Sequence, residues 1–270
     1  MIAASTVSPQ VHAYIRGQLD ALAAREGVRI LFAIESGSRA WGFPSADSDY
    51  DVRFVYVRPA EAYLSVRDFR DVIETPTLDD PVLGVPLDLN GWDIRKALQL
   101  GLKSNPVLRE WLVSPVRYGD SEGAADMIRD LLDRVTDRGA YAYHYDRLAR
   151  GAWDQIAAEA AAVKVKRYCY ALRPVLMCRW LAQRADLPPM DMAALTSGLD
   201  LDPAPVSAMA ELFALKRQAG EQDVLPRQPL LDALIADTLA VKAERPPFSE
   251  NDARDWPAAG AVFRRLIALD

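Results

Sequence analysis

Histidine and cysteine are scarce, with two of each in 270 residues. His12 and His144 have no histidine or cysteine neighbour at metal-ligand spacing, which leaves them structural roles. Cys169 and Cys178 are nine apart in what reads as one helix, so they point to different faces and do not suit a disulfide. So few cysteines in a chain of this length suggest a reducing compartment and small buried hydrophobes. No run of 18 apolar residues occurs, so no membrane span is expected. Residues 1–10 lack the charged start and apolar core of a signal peptide. A soluble cytoplasmic protein is the expectation. A basic excess is also missing: the formal charge is −6. Non-specific nucleic-acid binding through overall charge is thereby disfavoured, and an RNA partner would need a local basic patch. Internal repeats and low-complexity tracts are absent.

What is present is ordinary globular composition, 50% hydrophobic and 26% charged, enough to bury one sizeable core or two smaller ones. Residues 11–26 carry Val11, Ile15, Leu19 and Leu22 at helical spacing, and Gly27 fits the stop. The β-prone run 28–34 reads as a buried strand. After the Gly37-Ser38 turn come a short helical or irregular piece around 39–41 and loop chemistry over 42–46; residues 51–57 then alternate as a second strand, and 84–89 reads as a third. Residues 60–80 read as a loop or short helix. Asp93 looks like the N-cap of a helix over 94–103, and Asn105-Pro106 separates it from a short helix over 107–112. Beyond residue 120 strand signals give way to helical segments at 124–135, 141–181, 204–218, 230–242 and 258–269, with Gly151 or Pro174 as breaks in the longest. The expected class is α+β: a mixed sheet with flanking helices over 1–120, then an all-helical domain over 121–270.

Asp49 and Asp51 are two apart at a strand start, so period-two alternation puts both carboxylates on one face. Such close like charges repel, and a cation compensates them. Magnesium prefers oxygen ligands and takes one or two carboxylates plus substrate phosphates. Two such ions about 3.5–4 Å apart stabilise attacking and leaving oxygens in nucleotidyl transfer. Asp88, an acid between leucines on the third expected strand, is the natural third ligand. Gly37 lets a phosphate approach the backbone, and the Ser38 hydroxyl can add a hydrogen bond. No Gly-Lys-Ser/Thr follows, so this is not a Walker A loop. Each element alone is commonplace; the combination at this spacing is specific.

The segments Gly37-Ser38-Arg39-Ala40-Trp41-Gly42 and Ser48-Asp49-Tyr50-Asp51-Val52-Arg53 resemble the signature of the DNA polymerase beta-like nucleotidyltransferase superfamily. More narrowly, the chain resembles the predicted nucleotidyltransferases of the bacterial YcgL/RlaP group, associated with RNA repair. The likeness continues through residues 88–98, 103–106 and 110–112, and more faintly at Lys166 and Arg173-Pro174. It implies two magnesium ions (or manganese) on Asp49, Asp51 and Asp88, with those acids catalytic and with nucleotide phosphates on Gly37 and Ser38. The implied reaction moves a nucleoside monophosphate from an NTP to an acceptor hydroxyl, releasing pyrophosphate. The resemblance leaves the acceptor open between an RNA 3′ end and a protein or small molecule to be adenylylated, as in antitoxin-like relatives. A non-catalytic nucleotide-binding module is the third reading, which the intact acid triad opposes. Neither the preferred base nor the oligomeric state is legible.

Further nucleotide contacts are expected from Arg39, after the turn, and from Lys103, at a helix end where it could instead favour the helix dipole. Arg53 shares the face of Asp51 and suits a carboxylate or phosphate partner. Asn105 reads mainly as a cap. Charged residues over 160–185 are basic, and Lys166 and Arg173, seven apart, share a helical face suited to a triphosphate or acceptor backbone. Pairing with acidic neighbours is the plainer alternative. Trp41 and Trp92, flanking the motifs, are core residues or base-stacking candidates.

Overall fold

The computed structural model describes residues 7–76, 79–121, 123–159, 161–218, 220, 223–244 and 255–268. In chain order the elements are α1 (Pro9–Glu26), β1 (Arg29–Glu35), α2 (Gly37–Trp41), β2 (Tyr50–Val57), α3 (Ala60–Leu64), β3 (Val72–Glu74), β4 (Leu87–Asp93), α4 (Ile94–Leu102), α5 (Pro106–Leu112) and β5 (Arg117–Asp120). They continue with α6 (Ala124–Val135), α7 (Arg138–Ala157), β6 (Ala162–Lys164), α8 (Val165–Gln183), α9 (Met192–Gly198), α10 (Pro203–Gln218), β7 (Val224–Pro226), α11 (Pro229–Leu239) and α12 (Asp255–Ile267). The class is α+β, as expected. No described helix is long and apolar enough to cross a membrane.

The described residues divide into two compact units. One comprises the described residues of 6–40, 49–136 and 248–270; the other contains those of 41–48 and 137–247. This departs from the expected boundary at 120, for reasons of packing. The apolar stripe of α6 (Ile128, Leu131, Leu132) and Ala259 and Leu266 of α12 are buried with the sheet's helices. Phe43 is instead buried among the helical unit's side chains.

The sheet unit holds five strands in the order β3-β4-β2-β1-β5. β2 runs parallel to β4 and antiparallel to β1, while β1 and β5 pair antiparallel. Alternation along β2 fills both faces. Val52, Phe54 and Tyr56 pack with Ile15, Leu19 and Leu22 of α1. Val55 and Val57 pack with Ile94 and Leu98 of α4, Leu108 of α5 and Ile128 of α6. Close caps set the helix ends. Ser8 accepts from the Val11 amide, and Gly27 closes α1 at φ 62°. Asp93 accepts from the Arg95 amide to start α4.

In the helical unit, the long stretch expected over 141–181 is two helices. It divides not at Gly151 or Pro174, which both lie inside helices, but at the segment leading through β6. β6 pairs with β7, two three-residue strands too short to carry a sequence signal. Tyr141, Tyr145 and Ile156 of α7 pack with Tyr168, Leu172 and Leu176 of α8 and with Phe213 and Ile235 beyond. The Phe43 ring stacks on Phe213, centroids 5.3 Å apart and planes 7° apart. Lys216 is buried, and its Nζ donates to Ser45 Oγ at 2.6 Å. Cys169 and Cys178 are free, and burial pushes both thiols up to about 12.

Candidate active site

The sheet topology brings two of the predicted acids together. In the parallel β2–β4 ladder Asp51 is the direct partner of Asp88, so their side chains leave the same sheet face as neighbours. Their repulsion is met by a residue of the chain itself. Arg53 Nη2 donates to Asp51 Oδ1 at 3.1 Å and to Asp88 Oδ2 at 2.9 Å. Its Nη1 donates to the carbonyls of Val52 (3.0 Å) and Asp88 (3.2 Å), which ties the guanidinium to the two strands.

Gly37 stands on the other side of Asp51. Its φ is 60°, and a β-carbon there would lie 1.8 Å from Asp51 Oδ2. Only glycine combines that backbone with so close a carboxylate. Ser38 follows, nearly buried, in the five-residue α2. The turn is also bound to β2, since the Ser36 amide donates to the Asp51 carbonyl at 2.8 Å.

Beneath Asp51 lies a further acid, Glu35, the last residue of β1. Glu35 is fully buried. Its Oε1 accepts from the Asp51 amide at 2.9 Å, and its Oε2 accepts from the Tyr118 hydroxyl at 2.6 Å. Burial pushes this carboxyl up to about 7, against the opposing pull of the Tyr118 and Asp51 hydrogen bonds. Burial, then the charge of Glu35, pushes the Tyr118 hydroxyl well above its ordinary value. A glutamate directly after the apolar run 30–34, two residues before Gly37-Ser38, was the available signal. Tyr118 lies on β5, a four-residue strand that the sequence did not reveal.

Asp49 immediately precedes β2. Among the described residues, no three histidine, cysteine, aspartate or glutamate side chains are gathered as a metal-holding group. The β2–β4 register thus brings Asp51 and Asp88 together directly, while Asp49 lies one residue before the start of β2. The Asp49 carbonyl accepts from Arg39 Nε at 3.0 Å, and the Arg39 guanidinium covers the Tyr50 ring at 3.9 Å. Two carboxylates fixed on adjacent strands still fit a magnesium ion that draws its other ligands from phosphate.

The remaining candidates sit elsewhere in their units. Lys103 is exposed at the C-cap of α4, and Asn105 caps α5 by accepting from the Val107 amide at 2.9 Å. Within the helical unit, Lys166 Nζ lies 5.6 Å from the Tyr170 ring. Arg173 is not on an open basic face. It is 6% exposed, with its guanidinium 4.5 Å from the Trp41 ring and Nε donating to the Met190 carbonyl at 3.4 Å. Trp92 packs on Trp111, centroids 4.2 Å apart.

A family model described as RlaP, the RNA repair pathway DNA polymerase beta family, matches residues 11–265. The chain belongs to this family. The match spans residues of both units. The chain is also 42% identical over 210 residues to the uncharacterized protein YcgL of Bacillus subtilis (strain 168), covering 77% of this chain and 78% of the relative. Among solved structures, a nucleotidyltransferase-like protein from Exiguobacterium sibiricum 255-15 aligns at TM-score 0.33 and 12% identity, over 94% of this chain and 79% of that one. Membership supports an activity of the nucleotidyltransferase kind.

Proposed function

We propose that the chain transfers a nucleoside monophosphate from an NTP to an acceptor hydroxyl. The acceptor oxygen attacks the α-phosphorus, the bond to the β-phosphate oxygen breaks, and pyrophosphate leaves. The observation that carries this reading is the in-register pair Asp51 and Asp88 beside the Gly37 approach. Asp51 and Asp88, with Asp49 from the loop before β2, would hold magnesium ions. The ions, when bound, supply charge neutralisation at the phosphates. Asp88 is the candidate to help deprotonate the attacking hydroxyl. The Gly37 backbone and the Ser38 hydroxyl would receive the β- and γ-phosphates. Rigid strands suit a reaction whose catalysis is mostly positioning and electrostatics. Arg39, Lys103, Lys166 and Arg173 stay candidates for nucleotide contact on the sequence resemblance alone.

An RNA 3′ end is the acceptor we favour, because the matched family is described by an RNA repair pathway. The formal charge of −6 supports the second reading, adenylylation of a protein or small molecule. The test offers total RNA, total protein and a metabolite pool to the protein with each of four α-phosphate-labelled NTPs. Label in RNA, with pyrophosphate released in proportion, supports the first reading. Label in protein or metabolites supports the second. Nucleotide binding with no pyrophosphate release overturns both in favour of a binding module.

A further inference from the structure

We propose that Arg53 is a resident cation of the acid pair: it keeps free divalent ions weakly bound and makes their retention depend on a nucleotide's phosphates. The proposal rests on the reading of Asp51 and Asp88 as cation ligands.

A surface arginine would be a poor candidate for such a part, since it can swing away. Arg53 is held differently. Two of its four hydrogen bonds go to backbone carbonyls, of Val52 and Asp88, so the guanidinium is fastened to β2 and β4 themselves. Its side chain is 20% exposed. A guanidinium does not give up its proton, so the charge is permanent. The other two bonds take one oxygen from each carboxylate, Oδ1 of Asp51 and Oδ2 of Asp88. Asp51 Oδ2 packs against Gly37, where a β-carbon would stand 1.8 Å from it.

The electrostatics follow from this count. Two carboxylates and one guanidinium sum to −1 rather than −2. A dication arriving alone meets an in-register pair with one of its two charges already offset, a like-signed neighbour, and carboxylates that each already share an oxygen. A dication arriving with a triphosphate brings its own anionic oxygens, which replace the attraction that Arg53 removes. Arg53 is thus a positioning residue, holding two repelling acids side by side before any ligand arrives. It also sets a threshold against metal without nucleotide.

The test measures Mn²⁺ binding by electron paramagnetic resonance, with and without a non-hydrolysable NTP analogue. The proteins compared are the unsubstituted chain, Arg53→Gln, Arg53→Met, Arg53→Lys and Asp51→Asn. The neutral variants should bind free Mn²⁺ at least about tenfold more tightly, as removal of a unit charge a few ångströms away requires. Arg53→Lys, which keeps the charge and loses the fork, should stay near the unsubstituted protein. In the unsubstituted protein the analogue should strengthen Mn²⁺ retention. Equal or weaker Mn²⁺ binding by the neutral variants overturns the proposal, as does retention indifferent to the analogue. A different result, Mn²⁺ binding untouched by Asp51→Asn, would show that the acid pair is not the cation site and so reject the underlying reading itself.

Discussion

Gly37 and Asp51 are in contact so close that one atom more at residue 37 has no room: its β-carbon would stand 1.8 Å from Asp51 Oδ2. The motif's glycine and its second acid are therefore one geometric unit. The glycine admits the carboxylate, and the hydrogen bond from the Ser36 amide to the Asp51 carbonyl fixes the distance between them.

Gly37→Ala should accordingly injure the site more than the fold. The positive φ costs an alanine roughly 1–2 kcal/mol, and Asp51 has to move aside. Thermal melts should show a modest loss of stability, while nucleotide labelling should fall by about 100-fold, the scale on which a misplacement of about 1 Å is felt. Labelling at the unsubstituted rate would mean that Asp51 works equally well from another position.

Glu35 gives the sheet unit a pH signature. Its folded value of about 7 lies above the ordinary 4.5, so the folded state binds the proton more tightly. The stability this adds is complete below pH about 4.5 and is lost as pH rises through about 7. Glu35→Gln should remove that decline while keeping hydrogen-bonding partners for Tyr118 and the Asp51 amide. Urea unfolding at a series of pH values from 4.5 to 8 measures it. The two proteins would have to show parallel pH profiles for this account of Glu35 to be wrong.

Lys216 and Ser45 test the helical unit. The buried ammonium donates to Ser45 Oγ at 2.6 Å, and Ser45 Oγ lies 3.0 Å from Ser48 Oγ. Ser45→Ala strips a buried cation of this acceptor and should cost about 1–3 kcal/mol. Lys216→Met removes the charge that needed satisfying. The double variant should lose less than the sum of the singles, by about 0.5 kcal/mol or more. Strict additivity in denaturant unfolding would show the two groups to be uncoupled.

Asn105 separates capping from ligand contact. Its side chain accepts from the Val107 amide at 2.9 Å, at the start of α5. Asn105→Ala should cost about 1 kcal/mol of stability. Asn105→Ser and Asn105→Asp, which cap as well, should restore it and leave nucleotide affinity unchanged. Loss of nucleotide affinity in the aspartate variant, with stability intact, would assign Asn105 to the ligand instead.

Sequence reading reached the parts of this molecule that depend on neighbours in the chain. Asp51 and Asp88 were legible because each lies in a hydrophobic strand that leaves no other partner for an acid. The caps at Asp93 and Asn105 were legible because one side chain and one amide a few residues on suffice. Strands β3, β5, β6 and β7 were missed: three or four residues carry little periodicity, and such strands exist only because another edge is there to pair with. The burial of Arg173 against Trp41 was likewise hidden, since a run of basic residues reads as a solvated face until a distant aromatic covers it. The division into units escaped for the same reason. Nothing local reveals that Phe43 pairs with Phe213, or that α12 returns to the sheet's helices.

The central claim is that Asp51 and Asp88 together make a cation-dependent nucleotidyl-transfer site. Its most direct measurement is magnesium-dependent pyrophosphate release from NTP, in the presence of acceptor, by the unsubstituted protein, Asp51→Asn and Asp88→Asn, each checked for folding by circular dichroism. The account predicts release that requires magnesium and falls at least about 100-fold in either folded variant. Undiminished release from both variants would contradict it.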